Sequence, residues 1–158
     1  MDEAFAGYLN SEIGLIEVIG TEDGIISVEF KEGRRENNPQ LPVPVKECLK
    51  QLEEYFCGKR RAFSIDLILS GTDFQEKVWR QLMNIPFGET VSYKDIAASI
   101  GNPNAVRAVG NANGRNSIPI IIPCHRVIAS DGSLAGFGSG IWRKEWLLKH
   151  EKTVVTAK

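Results

Sequence analysis

Three short apolar or alternating runs open the chain, Phe5–Asn10, Ile13–Ile19 and Gly24–Phe30, separated by Asn10-Ser11 and Asp23-Gly24 and closed by Gly33. Such runs between turn residues mark strands, so an antiparallel meander is predicted. After the polar, proline-rich stretch 34–44, the segment Val45–Phe56 sets Cys48, Leu49, Leu52, Tyr55 and Phe56 on one helical face, and Gly58 stops it. A further strand is predicted at Phe63–Leu69. The period then changes. Thr72 and Gln75 form a capping box ahead of Phe74, Val78 and Leu82, spaced i, i+4, i+8. Asn84–Glu89, with Pro86 and Gly88, reads as a turn. Ser92 and Asp95 cap a helix over Tyr93–Ile100, and Gly101 ends it. Asn102 as N-cap and Pro103 as first helical residue predict a third helix reaching Gly114. The last helix, Ile141–Glu151, is predicted to bury Trp142, Trp146 and Leu147.

The change of period at Ser70-Gly71 predicts a boundary between an α+β support domain over 1–70 and a helical domain over 71–158. A chain of 158 residues accommodates that division, since domains run to roughly 100–200 residues and small ones can share a core. With 42% apolar and 25% charged residues the composition is that of a globular protein, which excludes disordered and fibrous classes. The acidic start Met1-Asp2-Glu3 does not resemble a signal peptide. No apolar run approaches the roughly 18 residues of a membrane span, so a soluble, intracellular protein is expected.

Net charge is −1, yet its distribution is uneven. Residues 1–71 carry 8 Lys/Arg against 13 Asp/Glu, net −5, while 72–158 carry 11 against 7, net +4. Between Asp95 and Asp131 there is no acidic residue, but there are Arg107, Arg115 and Arg126. A segregated chain can offer one basic face to a polyanion. Two helices about a glycine turn inside this window form the pattern of a helix-turn-helix. In its second helix Ala105, Val109 and Ala112 face inward and Asn104, Arg107, Asn111 and Arg115 outward, with Ala108 and Gly110 keeping it thin. A thin helix suits close approach to a DNA groove and equally suits tight packing inside a protein.

Three cysteines, an odd number, leave at least one thiol free and fit a reducing compartment. Cys48 and Cys57, on or next to one helix and about 13.5 Å apart at helical rise, are beyond disulfide reach and are expected in the core. With only His125 and His150 and no close Cys/His spacing, no metal site is expected. Cys124 ends the stiff apolar run Ile118-Pro119-Ile120-Ile121-Ile122-Pro123, and His125 and Arg126 follow it. The run predicts an extended buried strap, and a neighbouring imidazolium or guanidinium lowers a thiol's pKa. In an extended chain adjacent side chains diverge, so His125 reaches the sulfur only if the backbone turns or a water intervenes. Adjacency of Cys and His is therefore compatible with a purely structural role as well. The glycine-rich stretch Ala129–Gly140, with Gly132, Gly136 and Gly138 around Phe137, is either a mobile pocket wall or a surface loop.

Pro123-Cys124-His125-Arg126-Val127 resembles the active-site signature of the O6-alkylguanine-DNA alkyltransferases, the methylated-DNA–protein-cysteine methyltransferases. The likeness extends in register through Phe74–Glu151. It includes Pro86-Phe87-Gly88-Glu89, Val91-Ser92-Tyr93, Arg107-Ala108-Val109-Gly110, Asn116 and Lys144-Glu145-Trp146-Leu147-Leu148. The first half resembles the family's ribonuclease-H-like α+β domain in layout, ahead of a helical domain with a winged helix-turn-helix.

The resemblance implies that Cys124 accepts an alkyl group from O6-methylguanine, with O4-methylthymine as second candidate, in a single irreversible turnover without a cofactor. It implies that His125 deprotonates the thiol through a water, Glu151 orients His125, Asn116 braces the active-site turn, and Tyr93 helps rotate the nucleotide and release guanine. Arg107 would fill the place left in the duplex. Thr90, Ser92, Tyr93, Ala105, Ala108, Asn111, Arg115 and Arg126 would join it on DNA. Pro119, Val127, Gly136, Phe137 and Gly138 would line the base pocket. Phe137 stands where the family often has Tyr, so it brings no hydroxyl to the guanine oxygen. The implied partner is double-stranded DNA with alkylated bases, met by a monomer in the cytoplasm, or in the nucleus of a eukaryote. An alkyltransferase-like sensor typically has Trp at the cysteine position, which Cys124 contradicts. A transcription regulator would leave the Cys-His-Arg segment unexplained, and adjacent positions are a poor way to build a hydrolase dyad.

Overall fold

The computed structural model describes residues 3–134 and 136–157. The chain divides into two compact units, Met1–Ser70 and Gly71–Lys158.

In the first unit, β1 (Phe5–Ser11), β2 (Gly14–Thr21) and β3 (Gly24–Lys31) form an antiparallel sheet in the order β1-β2-β3. Pairs such as Gly7 with Val18 and Val18 with Val28 fix its register. Helix α1 (Val43–Phe56) packs on β1 and β2 through buried Val45, Cys48, Leu52 and Tyr55. Gly7 permits that approach, because a Cβ there would lie 2.8 Å from Leu49 Cδ1 and Val45 Cγ1. Two predictions fail in this unit. The strand at Phe63–Leu69 shrinks to one parallel bridge at Leu67, held by Ile25 N–H to the Asp66 carbonyl at 2.9 Å and Ile68 N–H to the Ile25 carbonyl at 2.8 Å. Cys57 lies one residue past the helix end and is exposed, not in the core.

The second unit has helices α2 (Asp73–Leu82), α3 (Tyr93–Ser99), α4 (Val106–Gly114) and α5 (Ile141–Thr156). A two-residue parallel pair, β4 (Val91–Ser92) with β5 (Val127–Ile128), is its sheet among the described residues. Both capping boxes form, Thr72 with Gln75 and Ser92 with Asp95. Val78, Leu82, Ile96, Val109, Ile118, Ile122 and Leu147 are buried, and Trp79 Nε1 donates to the Ala112 carbonyl at 2.8 Å, joining α2 to α4.

Helix α4 starts later than Asn102 and Pro103 predict. Those residues form a turn closed by Ala105 N–H to the Asn102 carbonyl at 3.0 Å, and Ala105 becomes an N-cap with no side-chain bond. The inward face of α5 is Lys144, Leu147 and Glu151, which leaves Trp142 56% exposed. The apolar count favoured tryptophan, but an ammonium and a carboxylate occupy the inward face because each has a buried partner.

Candidate active site

The strap before Cys124 is buried but not extended. Ile122 N–H reaches the Ile118 carbonyl at 3.0 Å, and Ile120 is forced to φ 74°. A β-branched residue rarely takes this left-handed conformation, so the turn carries strain that its surroundings must hold. Asn116 contributes: its Nδ2 donates to the Ile122 carbonyl and its Oδ1 accepts from Ile118 N–H, both at 2.9 Å. Pro123, at φ −78° and ψ 64°, then makes an inverse γ-turn, with Cys124 N–H on the Ile122 carbonyl at 2.7 Å. A single 3₁₀ turn, Cys124–Arg126, follows. The backbone thus turns where an extended chain would have separated Cys124 from His125.

Glu151 organises the floor of the site. Its Oε2 lies 2.6 Å from His125 Nε2, and Arg126 clasps the carboxylate through Nε at 2.9 Å and Nη2 at 3.0 Å. Gly88 N–H donates to Oε1 at 3.1 Å from a turn residue at φ 82°, a conformation that favours glycine. Burial alone would raise the Glu151 carboxyl, but His125 and Arg126 outweigh it and hold it well below the usual carboxylate range. Burial lowers His125, against the pull of Glu151. A neutral imidazole beside an anionic carboxylate donates Nε2–H and keeps its lone pair on Nδ1. Nδ1 is buried and has no hydrogen-bond partner among the described residues.

The thiol does not behave as its neighbours in sequence suggest. Burial pushes Cys124 up to about 11, although the Asn116 amide and the Lys144 charge pull downward. Burial lowers His125, and the guanidinium of Arg126 is spent on Glu151 and, through Nη1, on the Ile85 carbonyl at 2.7 Å. Arg126 is 6% exposed, which corrects its assignment to a DNA contact: its charge is turned inward to Glu151.

A cavity of about 40 Å³ adjoins Cys124, lined by Asn113, Asn116, Pro119, Phe137 and Ser139 with the intervening glycines 114, 136 and 138. Val127 is not among the lining residues. Its side chain is fully buried in β5, and its carbonyl accepts from Lys144 Nζ at 2.6 Å.

Arg107, Ala108, Asn111 and Arg115 are exposed along α4 and just beyond it, while Thr90 is exposed and Ser92 uses its hydroxyl to cap α3. Tyr93 is half-buried, 5.9 Å from Lys144 Nζ at its ring centre, and burial raises its hydroxyl.

Sequence reasoning missed Lys144 and Asn113. Lys144 is fully buried and close enough to Cys124 to act on its titration. Its i, i+3, i+7 spacing with Leu147 and Glu151 was a signal available in the sequence. Asn113 Nδ2 donates to the Cys124 carbonyl at 3.4 Å.

Residues 73–153 match the family model described as 6-O-methylguanine DNA methyltransferase, DNA binding domain, and residues 5–69 match the one described as 6-O-methylguanine DNA methyltransferase, ribonuclease-like domain. A methylated-DNA–protein-cysteine methyltransferase of Methanosarcina barkeri is 48% identical over 153 residues, covering 91% of this chain and 94% of that protein. The crystal structure of the Mycobacterium tuberculosis O6-methylguanine methyltransferase superposes with TM-score 0.87 at 41% identity, over 99% of this chain and 97% of that one. A structure of the M. tuberculosis protein in complex with DNA gives TM-score 0.84 at 43% identity, over 93% and 92%. With both units matched and its cysteine on the one-turn helix that follows the strained segment, this chain belongs to the 6-O-methylguanine DNA methyltransferase family.

Proposed function

We propose that this protein repairs DNA by direct reversal, moving the methyl group of O6-methylguanine, with O4-methylthymine as second candidate substrate, onto its own Cys124. One observation carries the reading: a buried thiol beside a cavity, next in sequence to an imidazole whose Nε2 is held on the Glu151 carboxylate and whose Nδ1 has no hydrogen-bond partner among the described residues. His125 Nδ1 takes the thiol proton through a water. The sulfur then bonds to the methyl carbon as the carbon–oxygen bond to guanine breaks. The electron pair leaves with the guanine, which takes up a proton with the help of Tyr93. The thioether has no route back, so each molecule acts once and needs no cofactor.

The target carbon lies inside a stacked duplex, and rotating the nucleotide out costs a few kcal/mol. The outward row Arg107, Ala108, Asn111 and Arg115 supports α4 as the element that meets DNA, with Arg107 filling the vacated place. The three free thiols support a reducing compartment such as the cytoplasm.

Incubation with a duplex containing O6-methylguanine, followed by intact mass and peptide mapping, tests the reading. One methyl per molecule on Cys124 is expected, and repeated turnover would overturn it. Arg107→Ala should slow transfer from duplex DNA about tenfold more than transfer from free alkylated base, which needs no flipping.

A further inference from the structure

Arg143 stands in the first turn of α5. Its Nη1 donates to the Ser139 carbonyl at 2.8 Å, and its guanidinium lies 4.5 Å from the centre of the Trp142 ring. Ser139 belongs to the lining of the Cys124 cavity, together with Gly136, Phe137 and Gly138. The same stretch closes on itself through Gly140 N–H to the Phe137 carbonyl at 2.9 Å, and joins α5 through Arg143 N–H to the Gly140 carbonyl at 3.0 Å. In this wall of the cavity Gly136 and Gly138 are exposed and bring no side chain, while Phe137 and Ser139 between and after them are partly exposed. Besides the backbone bonds at Gly140, a charged side chain ties Ser139 to the helix, and hydrogen bonds from charged donors are among the stronger ones.

Size decides what the tether does. The space beside the sulfur is about 40 Å³, whereas a cavity that takes a benzene ring is about 150 Å³. A flipped base and its alkyl group fit only as the wall yields, and a methyl group asks the least. A benzyl group must drive the wall outward against the Arg143–Ser139 bond.

We propose that Arg143 is a specificity-determining residue, limiting by its hold on Ser139 the size of the alkyl group accepted at Cys124. The inference rests on the alkyl-transfer reading above. Arg143 acts through the wall and not on the reacting atoms.

The test uses one duplex carrying either O6-methylguanine or O6-benzylguanine at the same place, so that any effect of the Arg143 charge on DNA affinity cancels in the ratio of single-turnover rates. Arg143→Met keeps the stem and removes the donor. It should raise the benzyl-to-methyl rate ratio about tenfold, while Arg143→Lys, which can still donate, should stay within about twofold of the unmodified protein. Amide exchange at Gly140 should quicken in Arg143→Met and stay unchanged in α2. A destabilised fold would slow both substrates together and leave the ratio alone. An unchanged ratio in Arg143→Met, or an equal rise in Arg143→Lys, overturns the proposal. If the unmodified protein gains no alkyl mass on Cys124 from either duplex, it is the alkyl-transfer reading that fails, and the role of Arg143 falls with it.

Discussion

Cys48 and Cys124 are both buried, and burial does much the same to each, pushing the first up to about 12 and the second up to about 11. Their surroundings differ. Cys48 lies on the inner face of α1 among Val45, Leu52 and Tyr55, each fully buried. Cys124 has the amide of Asn116, the ammonium of Lys144 and the His125–Glu151 pair nearby, and a cavity beside it. Both thiols are therefore protonated at rest. In the proposed reaction, what separates a packing residue from a nucleophile is not a thiolate waiting in advance, but the His125–Glu151 pair as the proposed base and a cavity for the reacting carbon. The expectation of a depressed thiol pKa reverses because burial outweighs the downward pull of the Asn116 amide and the Lys144 charge, while the guanidinium of Arg126 is bound to Glu151.

The comparison breaks most visibly in the pair of serine variants. Cys124→Ser should abolish transfer while duplex binding persists. Cys48→Ser should still take up one methyl per molecule, at a stability cost of about 1–3 kcal/mol for a hydroxyl buried in an apolar core. Intact mass and denaturant titration measure both, and loss of transfer in Cys48→Ser would erase the distinction.

Glu151→Gln sharpens the role of the base. Single-turnover transfer should slow about 100-fold, the scale of general-base assistance. Stability should fall by about 3 kcal/mol, because the buried Arg126 loses its counter-charge. The sign of the pH effect follows from the depressed carboxyl. Its contribution is present above the ordinary glutamate value of about 4.3 and is lost as pH falls through that value toward the lower native one. The variant should therefore lack part of the acid destabilisation seen in urea titrations.

Labelling of the native protein by iodoacetamide, followed by peptide mapping, should rank exposed Cys57 first, Cys124 next and Cys48 last, with Cys124 ahead of Cys48 by about tenfold. Equal rates at the two buried thiols would remove the proton acceptor from the argument. The smallest effect is in the pH–rate profile of transfer. Burial lowers His125, so the rate should hold down to about 6.5, the ordinary histidine value, and fall only as the imidazole takes up a proton below it. A profile that rises steeply through the alkaline range would instead report direct ionisation of the thiol.

Much of this was legible in the chain. Both capping boxes announce helix starts through short-range hydrogen bonds, and glycine punctuation marks the hairpins, because these are choices among neighbours in sequence. Long-range outcomes were not legible. The Phe63–Leu69 run has strand character, but how much of it pairs depends on the edge of β3, where the bridge formed is Ile25 with Leu67. Asn102-Pro103 is a good helix start, yet the turn before α4 uses both residues and the helix begins at Val106.

By itself the sequence determined the two-part organisation, the thin outward-polar helix, and the Pro123-to-Val127 segment that marked Cys124 and His125. Local propensity, periodicity and motif chemistry are properties of contiguous residues. Only the tertiary structure decided the direction of each charge. Arg126 turns from DNA to Glu151, Lys144 replaces Trp142 on the inner face of α5, and the strained turn at Ile120 lays Cys124 and His125 on a one-turn helix. A buried charge goes where a distant partner can compensate its desolvation, and for Arg126 that partner is 25 residues away.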